Sequence, residues 1–161
     1  MPKKIALNGI IPESLYKKFI YLMPICCVDI ILKAGNSVYL FKRSYSPAKD
    51  EWWFIGGRVL KGESLKDAAI RKMKEEVGVE TGTLRMVGVY ENFFLTSRFD
   101  SKKRKIGTHA ISVCFVAEPK DKNFKLKLNE EYTDYKLINK AGGNLHPYIQ
   151  AALKDSGVLQ I

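Results

Sequence analysis

This 161-residue chain has only two histidines and three cysteines. Cys26, Cys27 and Cys114 are odd in number and lie in apolar, strand-like runs, so they read as small core residues, not a disulfide set or a metal site. Long apolar runs are missing too. The one extended tract, residues 19–32, is broken by Pro24 and Asp29 and is too short to cross a bilayer. No apolar stretch with a small-residue cleavage site follows the basic start "MPKK", so no signal peptide is expected and the expected location is the cytoplasm. Repeats, low-complexity segments and linkers are absent, which leaves one expected domain, 1–161.

Acid is scarce: 17 Asp and Glu face 27 Lys and Arg, a formal net charge of +10. Such a surplus favours anionic partners, whether nucleotides, nucleic acid or phosphorylated sugars. The densest basic run, "KKRK" at 102–105, lacks the interleaved aromatics of a single-strand stacking surface. It reads as a solvated loop or as a contact to a ligand's phosphates. No motif for specific nucleic-acid readout is present, so nucleic acid is not the expected partner.

Apolar residues make up 46% of the chain, enough for one core. "ESLYKKFIYL" from Glu13 has helical spacing up to the break at Pro24. "ICCVDIIL" and "SVYLFKR" read as strands joined by a turn at Ala34, Gly35 and Asn36. Further strands are expected in "LRMVGVYENFF", "HAISVCFVAE" and "YKLI", and a closing helix in "NLHPYIQAALKD" with Pro147 in its first turn. Strands outnumber helices, and the helices fall between groups of strands. The expected class is an α+β sandwich.

The stretch "GGRVLKGESLKDAAIRKMKEEVGVE", residues 56–80, carries the chemistry. Ser64 suits an N-cap, with Asp67 three residues on as a shortened capping box. Leu65, Ala68, Ala69, Met73 and Val77 form an apolar stripe, and Gly78 is a natural stop, so a helix is expected over about 65–77. Arg71 and Glu75, like Lys72 and Glu76, stand one turn apart and crowd one flank. Two adjacent carboxylates and a third acid, Glu63, brought in after a glycine turn could supply hard oxygen ligands to Mg²⁺ or Mn²⁺. Taken alone, they fit a solvated flank of ion pairs better.

The spacing decides between these. Gly57, Glu63, Arg71, Met73, Glu75, Glu76, Gly78 and Val79 resemble the Nudix box, G-x5-E-x7-R-E-U-x-E-E-x-G-U, at eight of nine defined positions. The departure is Lys72, where the pattern has glutamate. Beyond the box, "VDIIL", "LFKRSYSPAKDEWWFIGGRV", "THAISVCFVAE" and "NEEYTDYKLI" are similar to runs of the GDP-mannose mannosyl hydrolases, covering about 13–138. That group also relaxes the position of Lys72.

The resemblance implies a Nudix-type α/β/α sandwich with a mixed sheet and a Mg²⁺- or Mn²⁺-dependent enzyme acting on a nucleotide sugar. The implied reaction is GDP-mannose to GDP and mannose by water attack at the anomeric carbon. It further implies Gly57, Glu75, Glu76 and Glu131 at the metal, with Glu76 foremost. Arg43 and Arg58 are implied to steady the departing diphosphate. Asp29, Trp52 and His109 are implied to face the substrate, alongside Arg43 and Arg58. Tyr132 stands where the group has its histidine base, and phenol is a poor base near neutral pH. The base is then left to Glu75, Glu131, Asp134 or His109. Two other readings stay open: a pyrophosphohydrolase that attacks phosphorus in a nucleoside-diphosphate sugar or nucleoside triphosphate, and a nucleotide-binding module without catalysis. A homodimer is left open as well.

Overall fold

The computed structural model of the chain describes residues 11–159. Its elements are α1 (Glu13–Leu22), β1 (Ile25–Ala34), β2 (Ser37–Arg43), β3 (Trp52–Trp53), β4 (Ile55–Arg58), α2 (Leu65–Val77), β5 (Thr81–Phe94), β6 (Thr108–Pro119), β7 (Tyr132–Ile138) and α3 (Pro147–Ser156). The strands form one mixed sheet. Its path runs β3-β2-β1-β6-β5, with β4 paired to β1 and β7 paired to β2. Among the described residues only the β1–β6 pairing is parallel; the other pairs are antiparallel.

Alternation along β1 divides the core in two, because successive side chains leave a strand on opposite faces. Val28, Ile30 and Leu32 pack with Ala68, Ala69, Met73 and Val77 of α2. Ile31, Val38, Leu40 and Cys114 pack with Tyr148, Ile149, Ala152 and Leu153 of α3. The result is an α/β/α sandwich with α2 and α3 on opposite faces. Asp29 has the parity of Ile31, so it points to the α3 face.

α2 begins and ends as its sequence dictates. The Ser64 hydroxyl oxygen accepts the Asp67 backbone N–H at 3.1 Å, and Gly78 caps the C-terminus in the left-handed region at φ 70°. Asp67 is too short to complete a capping box; its carboxylate accepts from the Ser64 hydroxyl at 2.7 Å instead. α3 starts at His146, whose Nδ1 accepts the Tyr148 N–H at 3.2 Å, with Pro147 in the first turn.

β3 and β4 were not foreseen. β4 lies antiparallel against the start of β1, with Asp29 opposite Gly56 and Val28 opposite Gly57. The glycine is required there: a Cβ on Gly56 would collide with the Asp29 carboxylate and the Val28 carbonyl. β7 also begins earlier than "YKLI" indicated, at Tyr132, whose ring packs 5.3 Å from that of Phe41.

The three cysteines are free and do not share one environment. Cys114 is buried in the core, as expected, whereas Cys26 is exposed. The basic run 102–105 is exposed; Lys105 lies 3.9 Å from Asp100, and Arg104 sits over the ring of Tyr21. Among the described residues, no helix is long and apolar enough to cross a membrane.

Candidate active site

A cavity of about 520 Å³ opens where the start of β1, the β4 turn and α2 meet. That is within the size range of small-molecule sites. One flank is built by α2 and the loop before it. The Arg71 guanidinium grips Glu63 through two bonds, Nε to Oε1 at 2.6 Å and Nη2 to Oε2 at 2.9 Å. It also donates to Glu75 at 3.0 Å and to the Arg58 carbonyl at 3.1 Å. Glu63 accepts the Leu60 N–H as well. Arg71 and Glu63 therefore fasten the loop 58–63 to the helix. The Arg71 hydrogen bonds hold the Glu63 carboxyl below its ordinary range.

Glu76 is a buried acid of the site, 2% exposed. One oxygen, Oε1, accepts from Lys72 Nζ at 2.9 Å. The other, Oε2, accepts from the Tyr132 hydroxyl at 2.5 Å and from the Gly56 N–H at 3.3 Å. Burying a carboxylate is costly unless it is paired and hydrogen-bonded, and here it is both. Lys72 also approaches Glu75, at 3.8 Å.

Of the residues singled out from sequence, Asp29, Arg43, Gly57, Arg58, Glu75, Glu76 and Glu131 border this one cavity. Arg43 Nε donates to the Pro47 carbonyl at 2.9 Å. Arg58 stacks over Tyr16 of α1 at 5.1 Å. Glu131 lies 3.6 Å from Arg98. Asp29 forms part of the floor, where Tyr148 donates to it at 2.7 Å, and burial pushes its carboxyl above the ordinary value. Burial also pushes the neighbouring Cys27 thiol up to about 12, so it is no thiolate nucleophile.

Four expected residues fall elsewhere. Trp52 does not line the cavity; Lys136 Nζ sits 4.2 Å over its ring, and Trp53 lines the cavity instead. His109 leaves β6 on the face opposite Thr108 and Ala110, stacked on Phe93 at 4.3 Å. Tyr132 lies beneath Glu76, not in the cavity, and burial, followed by the charge of Glu76, holds its phenol well above its ordinary value. It cannot serve as a general base. It orients Glu76. Asp134, another candidate base, pairs with Lys42 on the β2–β7 ladder and also lies outside the cavity.

Sequence reasoning missed Tyr16, Trp53, Asn92, Phe94, Arg98 and Ser112, which complete the wall. Parity would have found two of them: Ser112 faces Cys27 across β1–β6, and Asn92 pairs with Ala110, so both share the face of Asp29.

The Nudix box implies a divalent metal. Hard carboxylate oxygens are the donors Mg²⁺ and Mn²⁺ take, and Glu75 and Glu76 already converge on one cation, the Lys72 ammonium. The pair therefore fits an ion in that place. Among the described residues no third His, Cys, Asp or Glu joins them in a cluster. Glu131 and Gly57 border the same cavity without completing one.

The model of the NUDIX domain matches residues 23–148. The chain belongs to the NUDIX domain family. Its Nudix box is the loop, helix and buried Glu76 just described. Similar curated proteins include the low-salt glycan biosynthesis protein Agl8 of Haloferax volcanii, 29% identical over 89% of this chain and 88% of that protein. The ADP-ribose pyrophosphatase of Methanocaldococcus jannaschii is 33% identical over 66% of this chain and 57% of that protein. Among solved structures, a MutT NUDIX hydrolase from Burkholderia pseudomallei superposes with a TM-score of 0.66 at 17% identity, covering 83% of this chain and 98% of that one. With its box in place, this chain is a Nudix hydrolase.

Proposed function

We propose that this Nudix hydrolase cleaves a nucleoside-diphosphate sugar, GDP-mannose foremost, into the nucleoside diphosphate and free sugar. The observation that carries the reading is the meeting, in one cavity, of Arg43, Arg58 and Arg98 with the Glu75–Glu76 pair. Guanidiniums are suited to a diphosphate because they donate paired hydrogen bonds to its oxygens, and they stabilise it more as charge grows on the leaving group. Mg²⁺ or Mn²⁺ held by Glu75 and Glu76 would supply further charge neutralisation there. The buried, polar floor of Asp29, Asn92 and Ser112 supports a hydroxyl-rich sugar at the far end. Of the acids on the wall, Glu131 is the freest to take a proton from water, its nearest cation being Arg98 at 3.6 Å. In this reading the water deprotonated at Glu131 attacks the anomeric carbon, the bond from that carbon to the diphosphate oxygen breaks, and the nucleoside diphosphate leaves between Arg43 and Arg58.

A second reading has a specific support: the similarity to a relative named as an ADP-ribose pyrophosphatase, together with retention of Glu75. In that case water attacks phosphorus. One experiment separates them: a panel of nucleotide sugars incubated in ¹⁸O water with Mg²⁺, followed by mass analysis of products. The expected outcome is GDP and hexose with the label in the sugar. A nucleoside monophosphate and sugar phosphate, with label on phosphate, would replace the first reading by the second.

A further inference from the structure

We infer that Lys72 is a tethered cation that competes with a divalent metal for the Glu75–Glu76 carboxylates, so that an ion enters this site only by displacing the ammonium. The inference rests on the metal reading of the site but not on which bond is cleaved. Glu76 has one oxygen, Oε2, already committed to Tyr132 and Gly56. Its other oxygen, Oε1, is the one that Lys72 Nζ holds at 2.9 Å, while the same nitrogen reaches Glu75 at 3.8 Å. A divalent ion seeking the two acids needs the position that this nitrogen fills.

The lysine is fixed there by packing. Its side chain is 19% exposed, and its stem lies across the bare face of Gly57, where an added Cβ would stand 2.6 Å from Cε and 3.0 Å from Nζ. The space left by the glycine is filled by this chain's own side chain. Positive charges on an ammonium and a metal at the same carboxylates repel strongly in a partly buried site. Occupation by both is therefore disfavoured, and the lysine swings out when the ion enters.

Mn²⁺ binding to the whole chain, followed by the electron paramagnetic resonance of free Mn²⁺ without any nucleotide, tests this. Lys72→Met and Lys72→Gln are each expected to bind Mn²⁺ at least about tenfold more tightly than wild type. Lys74→Met removes the same charge from an exposed position of the same helix and is expected to bind as wild type does. Lys72→Gln keeps a hydrogen-bond donor for Glu76 if the Met variant proves too unstable to purify. Melting adds a second reading: Mn²⁺ should raise the melting temperature of the Lys72 variants more than that of wild type. Unchanged or weaker Mn²⁺ affinity in both folded Lys72 variants overturns the competition. Binding by none of the proteins overturns the metal reading itself, and neither result bears on the products found with nucleotide sugars.

Discussion

Tyr132 shows how far one residue's role depends on depth. By position it stands where a histidine base is expected, yet its phenol is buried and donates at 2.5 Å to the acid that the site is built around. Removing the hydroxyl leaves a buried carboxylate with one partner fewer, a loss of about 1–3 kcal/mol in stability. Tyr132→Phe is therefore expected to melt lower and to lose activity, roughly tenfold, because Glu76 is held less firmly. Thermal melting and steady-state rates check both; unchanged values in both would show that the contact has no role. Arg71 has the opposite lesson. Its pairing with Glu75 was legible from spacing, one helical turn apart, whereas its pairing with Glu63 depends on how the loop before the helix folds back.

At the scale of elements, α3 holds the floor of the cavity through Tyr148 and Asp29, and its own start depends on a histidine. His146 caps α3 by accepting at Nδ1, which requires the neutral ring. Burial lowers its pKa below the ordinary 6.5, with Glu51 opposing weakly. The native state thus binds fewer protons than the unfolded chain, and this contribution is full above pH 6.5 and lost as pH falls towards the folded value. Glu63, held low by Arg71, acts in the same direction at more acid pH: its contribution is full above the unfolded value and disappears as pH falls through the folded one. Stability followed by urea titration should therefore decline first just below pH 6.5 and again in the carboxylate range. His146→Asn keeps a cap without the titration, and it should flatten the first step alone. A first step that survives in this variant assigns it to another group.

The elements differ in how much of them can be read from sequence. α2, β1, β2 and β6 announce themselves by period and by capping residues, because local pattern and tertiary role agree there. β3 has two residues and β4 has two glycines among its four. Their strand state comes from pairing with β2 and β1, which no local propensity encodes. The same holds for the cavity wall. Phe94 and Arg98 lie well beyond the box in sequence and meet it only through the order of strands in the sheet.

Across the whole molecule, charge is distributed unevenly between the cavity and the surface. The cavity wall carries five cations, Arg43, Arg58, Arg71, Lys72 and Arg98, against four acids, Asp29, Glu75, Glu76 and Glu131. The surplus of +10 is therefore almost wholly outside it. Charges at that distance do not hold the substrate; they raise its rate of arrival, and salt screens them beyond a Debye length of about 10 Å at 0.1 M. The close arginine contacts inside the cavity are screened far less. For an anionic nucleotide sugar, kcat/KM is accordingly expected to fall several-fold between low and high salt while kcat changes little, provided that arrival limits kcat/KM. The exposed run at 102–105 is part of this outer field, so K102E and K103E together should lower kcat/KM at low salt, leave kcat unchanged, and have little effect at high salt. An equal loss in kcat, or a loss that persists at high salt, would place these lysines in contact with the substrate instead of in its approach.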